Sequence, residues 1–518
     1  MTRLHGAGRS WPGFLALVAG LTLVFSLVPA ASAQEVGGTD DADTQLALAI
    51  ESVVDVAPLD GVHWGIHVVD AETGEVRYSS SAQKRFIPAS NMKIVVSAAA
   101  LLERGPDWRF TTDFWAVGPV DAEGRVRGNL VLAPTGDPTF SARFWDDDEA
   151  PLRAMVDSLL DRGITSIDGA LVLDRTAWDT LSVPSSWMVG NVPSGFSAAP
   201  ATFAIGEGAT EIEIRGAEEA GEPALIRRIG GGTPGFIAGE ITSVARGDTT
   251  ATGLDIDWRP GSGVHYLSGD WRVERVDTTE VATRLADREA AVRLTQLIEA
   301  AGIEVRDGLR IVSDPEETVG GGCLAGRVAA CESAAPVVRM QSPTLLEISK
   351  ALLEPSQNWM TEQVMRSMSA GVEPLASRGA ALDSIEVVLG REAAVDSLDL
   401  YLQDGSGLSA YNLVTPRAIA AILGRMLEMP YAGGWKDALA APGEEDSTLQ
   451  YRLEGFESAV QAKTGTISNV NSLSGYLVDA SGRTMIFSVL TNGSGLPSSR
   501  VRNAIDRVVR AVAEHPRD

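Results

Sequence analysis

Lysine is nearly missing from this chain: five of its 518 residues are lysine, and 38 of its 43 basic residues are arginine. Arginine stays protonated at any accessible pH and cannot accept a proton, whereas a desolvated lysine can lose its charge and do so. Histidine is equally scarce, at five residues. Of these, His63 and His67 stand four apart on a predicted strand, about 13 Å between Cα atoms, which excludes them as ligands of one metal. With only His265 and His515 left in the body of the chain, a histidine-based hydrolase is poorly supported, and no metal or other cofactor is expected. The only two cysteines, Cys323 and Cys331, lie eight positions apart in a glycine-rich segment with no histidine nearby, which does not complete a zinc site. In an exported chain they are expected to form one disulfide closing a small loop.

Long apolar runs are also missing, apart from Phe14 to Val28, which follows Arg3 and Arg9 and ends at Ala31-Ser32-Ala33. That run is too short for a comfortable membrane span and has the layout of a signal peptide cut near Ala33. Residues 1–33 are therefore expected to be removed, leaving an exported protein, periplasmic or secreted, with no transmembrane anchor. Net positive charge is the last absence. The formal charge of −26 becomes −28 without the two arginines of residues 1–33. Such a surface argues against nucleic acid and anionic lipid as partners.

The remaining ~485 residues exceed one ordinary domain. After a loose acidic leader, Trp64 to Val69 alternates as a strand, and Val76 to Tyr78 returns after a turn. Ser90 to Leu102 is apolar on nearly every face and closes at Gly105-Pro106, which predicts a helix buried on all sides. From Trp108 to Ala335 the texture becomes short β-rich runs with one amphipathic helix, about Arg288 to Ala301. Helices return at Thr344 to Leu353 and Trp359 to Met368, and the chain ends as strand (Val460 to Thr466), hairpin and helix (Arg500 to Ala513). The expected plan is a discontinuous α+β domain from 34–107 and 336–518, with an inserted β-rich region, 108–335, in two subdomains. Trp178, Trp187 and Trp359 are expected in the core rather than in a groove.

Two of the scarce lysines stand in patterned positions. Ser90-Asn91-Met92-Lys93 opens the buried helix, so Lys93 falls one turn from Ser90 on the same face, and burial beside a second ammonium would lower its pKa. That makes Lys93 a candidate base for the Ser90 hydroxyl. A second serine–lysine pair of the same spacing, Ser81 and Lys84, lies in a polar run with nothing to bury it. Ser356-Gln357-Asn358 follows the proline that ends one helix; a hydroxyl there can relay a proton and an amide can orient a peptide group, although Ser356 could instead simply cap the next helix. Lys463-Thr464-Gly465-Thr466 lies on a predicted strand whose small residues let a substrate backbone approach.

These three motifs, in this order, resemble those of the active-serine penicillin-recognising enzymes. The 263 positions from Lys93 to Ser356 and the 105 from Asn358 to Lys463, with Gly136-Asp137-Pro138 and Asp404-Gly405-Ser406-Gly407-Leu408-Ser409, make the chain similar to the class C low-molecular-mass penicillin-binding proteins of the type-4 kind. The resemblance implies a penicillin-binding/β-lactamase-like transpeptidase domain, an antiparallel sheet flanked by helices. It implies D-Ala-D-Ala carboxypeptidase or endopeptidase activity on peptidoglycan stem peptides, with β-lactams as covalent inhibitors. In the roles it implies, Ser90 is the nucleophile and Lys93 its base, while the backbone N–H groups of Ser90 and Thr466 form the oxyanion hole. Ser356 and Lys463 pass a proton to the leaving amine, Asn358 holds the acyl-side amide, and Thr464 and Thr466 bind the terminal carboxylate beside Gly465. A β-lactamase or esterase of the same fold and a non-catalytic peptidoglycan-binding protein are the alternatives. The chain departs from the family at Ala410, where an arginine often helps bind a diaminopimelate carboxylate; Ser468 matches a position that can also meet that side chain.

Overall fold

Strands from the two ends of the chain meet in one sheet. In this computed structural model, which describes residues 41–179, 183–231, 236–258, 264–369 and 377–517, the order is Val76–Ser80, His63–Asp70, Thr484–Asn492, Val470–Val478, Val460–Ile467, antiparallel throughout. All but the last residue of Val470–Val478 is buried, because helices cover both faces of the sheet. One face packs on the helices Asp41–Val54 and Ser498–Glu514 through Leu46, Ile50, Ile505 and Val508. The other packs on Met92–Arg104, Asn358–Ser367 and Pro416–Leu427. Ten consecutive residues, Met92 to Leu101, are buried, and each large aliphatic among them stabilises the fold by about 1.5–3 kcal/mol relative to exposure.

The leader expectation fails after residue 40. Asp41–Val54 is a helix, because Leu46, Ile50, Val53 and Val54 form an apolar stripe that the sheet covers. The expected signal segment, 1–33, lies outside the described residues.

A second five-stranded sheet runs Leu309–Val312, Leu171–Asp174, Asn129–Pro134, Thr111–Val117, Ala334–Gln341. Two of its pairings are parallel, and the helix Ala150–Asp161, which the sequence reading did not anticipate, makes the crossover between Asn129–Pro134 and Leu171–Asp174. The strand Ala334–Gln341, paired with Thr111–Val117, runs across the expected 335/336 boundary. Two three-stranded sheets between Ala209 and Ala282 share a small core of their own around Ile212, Ile241 and Leu267. Among the described residues, no helix is long and apolar enough to cross a membrane.

Candidate active site

Ser90 sits in a 3-10 turn, Ala89–Asn91, that runs directly into the buried helix Met92–Arg104. Ala89 has a φ of +48°, a left-handed conformation that is costly for alanine and is held here by its surroundings. One source of that constraint is Gly407, whose φ is +82°: a Cβ there would stand 1.8 Å from the Ala89 carbonyl oxygen. One turn on, Lys93 is fully buried. Its Nζ lies 3.0 Å from Ser90 Oγ, 2.6 Å from Asn358 Oδ1 and 2.8 Å from the Ser406 carbonyl. Burial lowers the Lys93 pKa to about 7, against the opposing pull of the Asp404 and Glu362 carboxylates. The second ammonium acts elsewhere than the sequence suggested: Lys463, also fully buried, is held well below the ordinary lysine range by burial first and by the Lys93 charge second.

Ser356 occupies the connection between the helices Leu345–Leu353 and Asn358–Ser367, with φ at +68°. Gln357 is the residue that caps the second helix, its side chain accepting from Met360 N–H, so the capping role does not account for Ser356. Asn358 turns its oxygen to Lys93 and donates from Nδ2 to the Phe196 carbonyl at 2.8 Å.

Lys463, Thr464, Gly465 and Thr466 lie on the strand Val460–Ile467 at the edge of the central sheet. Ala462 N–H points away from the neighbouring strand to the Ala440 carbonyl, and the two-residue alternation puts the N–H groups of Thr464 and Thr466 on that same outer edge. The Ser90 N–H belongs to a first helical turn, which supplies it no intrahelical acceptor. Gly465 brings the two together: a Cβ on it would meet Ser472 Oγ at 2.2 Å and Ser90 N at 3.0 Å. Ser472 Oγ donates to the Pro88 carbonyl and Asn91 Nδ2 donates to the Lys463 carbonyl, tying strand to turn. Ser468 follows in the exposed turn after the strand.

Other residues hold this arrangement; of these Asp404 opens a run the sequence made conspicuous, while Glu362, Gln357 and Glu207 carried no local signal as site residues. Asp404 accepts from Gly407 N–H, Ser409 N–H, Asn412 Nδ2 and Trp187 Nε1. Glu362, fully buried, accepts from Gly405 and Ser406 N–H, and so orients the carbonyl that faces Lys93; burial and the Asp404 charge raise its pKa. Gln357 donates to Glu207, which also pairs with Arg143. Trp178, Trp187 and Trp359 are buried. Lys84 of the second serine–lysine pair is exposed. Cys323 and Cys331 are bonded to each other, Cα atoms 5.6 Å apart, beside the second sheet. No group of residues able to hold a metal occurs among the described residues.

A cleft of about 440 Å³ is lined by Ser90, Ser356 and Asn358 of the first two motifs, by Thr466, Ile467 and Ser468 just after the third, and by Met188, Asn191, Phe196, Gly407, Leu408 and Ala410; Lys93, Lys463, Thr464 and Gly465 are not among its lining residues. A hydroxyl beside a desolvated amine, with two N–H groups aimed at the same space, can perform acyl transfer.

A sequence profile of the D-Ala-D-Ala carboxypeptidase 3 (S13) family matches residues 46–514. A D-alanyl-D-alanine carboxypeptidase of Actinomadura sp. (strain R39) is 31% identical over 478 residues, 89% of this chain and 84% of that protein. The carboxypeptidase DacB of Haemophilus influenzae is 23% identical over 413 residues, 79% and 80% of the two chains. The crystal structure of penicillin binding protein 4 (dacB) from Haemophilus influenzae has the same fold, with a TM-score of 0.74 at 20% identity, covering 89% of this chain and 98% of that one.

Proposed function

The chain belongs to the D-Ala-D-Ala carboxypeptidase 3 (S13) family and is a serine D-Ala-D-Ala carboxypeptidase, and from that premise we propose that Ser90, Lys93, Ser356, Asn358 and Lys463 carry its catalysis. The observation that carries this reading is the position of Lys93 Nζ, desolvated, 3.0 Å from Ser90 Oγ and bonded to Asn358. Ser90 Oγ attacks the carbonyl carbon of a D-alanyl peptide bond in a peptidoglycan stem, and its proton passes to Lys93 Nζ. The N–H groups of Ser90 and Thr466 stabilise the oxyanion, a contribution of about 3–4 kcal/mol in comparable sites. As the C–N bond breaks, Ser356, with Lys463 behind it, delivers a proton to the leaving amine. That amine comes from a terminal D-alanine, or from a cross-linked side chain when the enzyme acts as an endopeptidase. Water then hydrolyses the acyl-enzyme. Asn358 holds the acyl-side amide, while Thr464 and Thr466 receive the terminal carboxylate beside Gly465, where the strand leaves no room for a side chain.

The same reading makes β-lactams acylating inhibitors at Ser90. It also makes 34–107 and 342–518 the catalytic domain, 108–341 an insertion in two subdomains, and the protein an exported one after loss of residues 1–33. The composition of that segment, with its short apolar run and Ala31-Ser32-Ala33, supports export, and a periplasmic or secreted location follows.

The test is intact-protein mass spectrometry of residues 34–518 after incubation with benzylpenicillin. A lasting adduct of one drug molecule that maps to Ser90 and is missing in Ser90→Ala is expected. An unmodified protein with intact drug would instead leave a non-catalytic binding protein, and hydrolysed drug a β-lactamase.

A further inference from the structure

Lys93 Nζ has three hydrogen-bond partners among the described residues, and two of them can only accept: Asn358 Oδ1 at 2.6 Å and the Ser406 carbonyl at 2.8 Å. The third, Ser90 Oγ at 3.0 Å, can donate. A neutral amine carries two hydrogens and one lone pair. When the two acceptor oxygens take both N–H hydrogens, the lone pair is left facing the Ser90 hydroxyl, which is the orientation a general base needs. The aim of the base therefore depends on where those two oxygens are held.

Asn358 is held by the helix Asn358–Ser367 and by its own Nδ2, which donates to the Phe196 carbonyl. The Ser406 carbonyl belongs to a loop, and one side chain ties that loop to the same helix. Glu362, one turn beyond Asn358 and so on the same face, is fully buried, and its Oε1 accepts from Gly405 N–H at 3.0 Å and from Ser406 N–H at 2.8 Å. The loop lies directly on the helix there: a Cβ on Gly405 would stand 2.9 Å from Met365 Cβ. Asp404 does not substitute for Glu362, because its own oxygens accept from Gly407, Ser409, Asn412 and Trp187.

We propose that Glu362 is a positioning residue for acylation: by holding peptide 405–406 from the helix that also carries Asn358, it places the second acceptor on Lys93 and aims the Lys93 lone pair at Ser90. The proposal rests on the assignment of Lys93 as the base of Ser90, and it adds the group that orients that base. Glu362 also acts by charge. Burial first and the Asp404 charge second raise its pKa, while the Ser406 hydroxyl and N–H and the Arg378 guanidinium favour the carboxylate. The remaining charges around the pair are Arg366 on the same helix, ion-paired with Asp179, and Lys463 on the strand beside Lys93. The Glu362 carboxylate favours the Lys93 ammonium, so without that charge Lys93 gives up its proton at lower pH.

The experiment separates position from charge. Glu362→Asp keeps a carboxylate one methylene too short to reach both N–H groups, whereas Glu362→Gln keeps an oxygen on them and removes the charge. Acylation of residues 34–518 by a chromogenic cephalosporin is followed by stopped flow from pH 5 to 9, and thermal unfolding checks that each variant is folded. Glu362→Asp is expected to lower the plateau rate about tenfold with its acid limb in place. Glu362→Gln is expected to recover most of that loss, with a limb displaced by about half a unit to lower pH, so that near pH 5.5 it keeps about threefold more of its plateau rate than the native enzyme does. A native plateau in folded Glu362→Asp, a Glu362→Gln plateau as low as that of Glu362→Asp, or a Glu362→Gln limb that does not move overturns the proposal and leaves Ser90 and Lys93 in their roles. Should Glu362→Asp unfold, the plateau and limb of the isosteric Glu362→Gln decide alone. A native enzyme that is not acylated at Ser90, or that reacts at one rate across the range, overturns the catalytic reading itself.

Discussion

In the mechanism proposed above, Lys93 is the residue on which the chemistry turns, and its environment sets opposing demands. Full burial drives it toward neutrality, while two carboxylates nearby pull it back toward the charged form, leaving its pKa near 7. Only the neutral amine can accept the Ser90 proton. The rate of Ser90 acylation should therefore rise about tenfold per pH unit below about 7 and level off above it, the sign expected of a base whose protonated form is inactive. Stopped-flow acylation by a chromogenic cephalosporin between pH 5 and 9 reads this directly; a flat profile would remove Lys93 from the role of base. Lys93→Arg conserves charge but supplies a guanidinium that does not deprotonate, so it should lower the plateau rate by about 10²–10⁴-fold. The scarcity of lysine made this residue conspicuous in the sequence. Two of its three partners did not follow from composition, since Asn358 and Ser406 come from 265 and 313 positions away.

At the scale of elements, the helix Asn358–Ser367 organises the site, and part of what holds it, beyond the apolar core it packs in, comes from residues 136–207. Glu207 accepts from the Gln357 side chain and pairs with Arg143, so it fixes the turn on which Ser356 and Asn358 stand. Glu207→Ala should lower acylation about tenfold by letting that turn shift, without lowering the helical circular dichroism signal. Glu207→Gln retains an acceptor for Gln357 and should recover most of the rate; if it does not, the Arg143 pair rather than the Gln357 contact is what matters. The elements that pattern alone revealed are those with one strong period: the alternating strand at Trp64, the all-apolar helix after Ser90, and the terminal hairpin. Asp41–Val54 was missed because its stripe is set in a polar sequence, and Ala150–Asp161 because it lies among β-rich runs and strand pairings that decide its role non-locally. Within the site, the three motifs were legible because each is short and contiguous. Glu362 and Glu207 were not recognisable as supports, since an isolated acid has no pattern, and Asp404, though it opens a conspicuous run, shows which amides it receives only in the fold.

At the scale of the whole molecule, the insertion proposed at 108–341 is not an independent attachment. Four of its contacts end on the catalytic helix or on the Asp404 loop: Phe196 carbonyl to Asn358, Ala199 carbonyl to Trp359, Ala201 backbone to Gln363, and Trp187 Nε1 to Asp404. The helix Asn358–Ser367 has Glu362, Gln363 and Arg366 buried at 0–1% exposure, and burial of such groups is tolerated only while their partners remain. Gln363 would lose its bonds to Ala201 and to the Gly136 carbonyl, and Arg366 its ion pair with Asp179, each from 108–341. Stranding one buried polar group costs about 1–3 kcal/mol, so removing several together exceeds a large part of a typical folding free energy. A chain joining 34–107 to 342–518 through a short linker should therefore not give a minimal penicillin-acylated domain. Supplying 108–341 in trans should not restore the rate unless it docks on that helix face. Acylation of the joined chain at the full-length rate would show that the catalytic helix stands without the insertion. The expected loss of both labelling and cooperative unfolding would show that this chain needs the insertion to keep Asn358 pointed at Lys93.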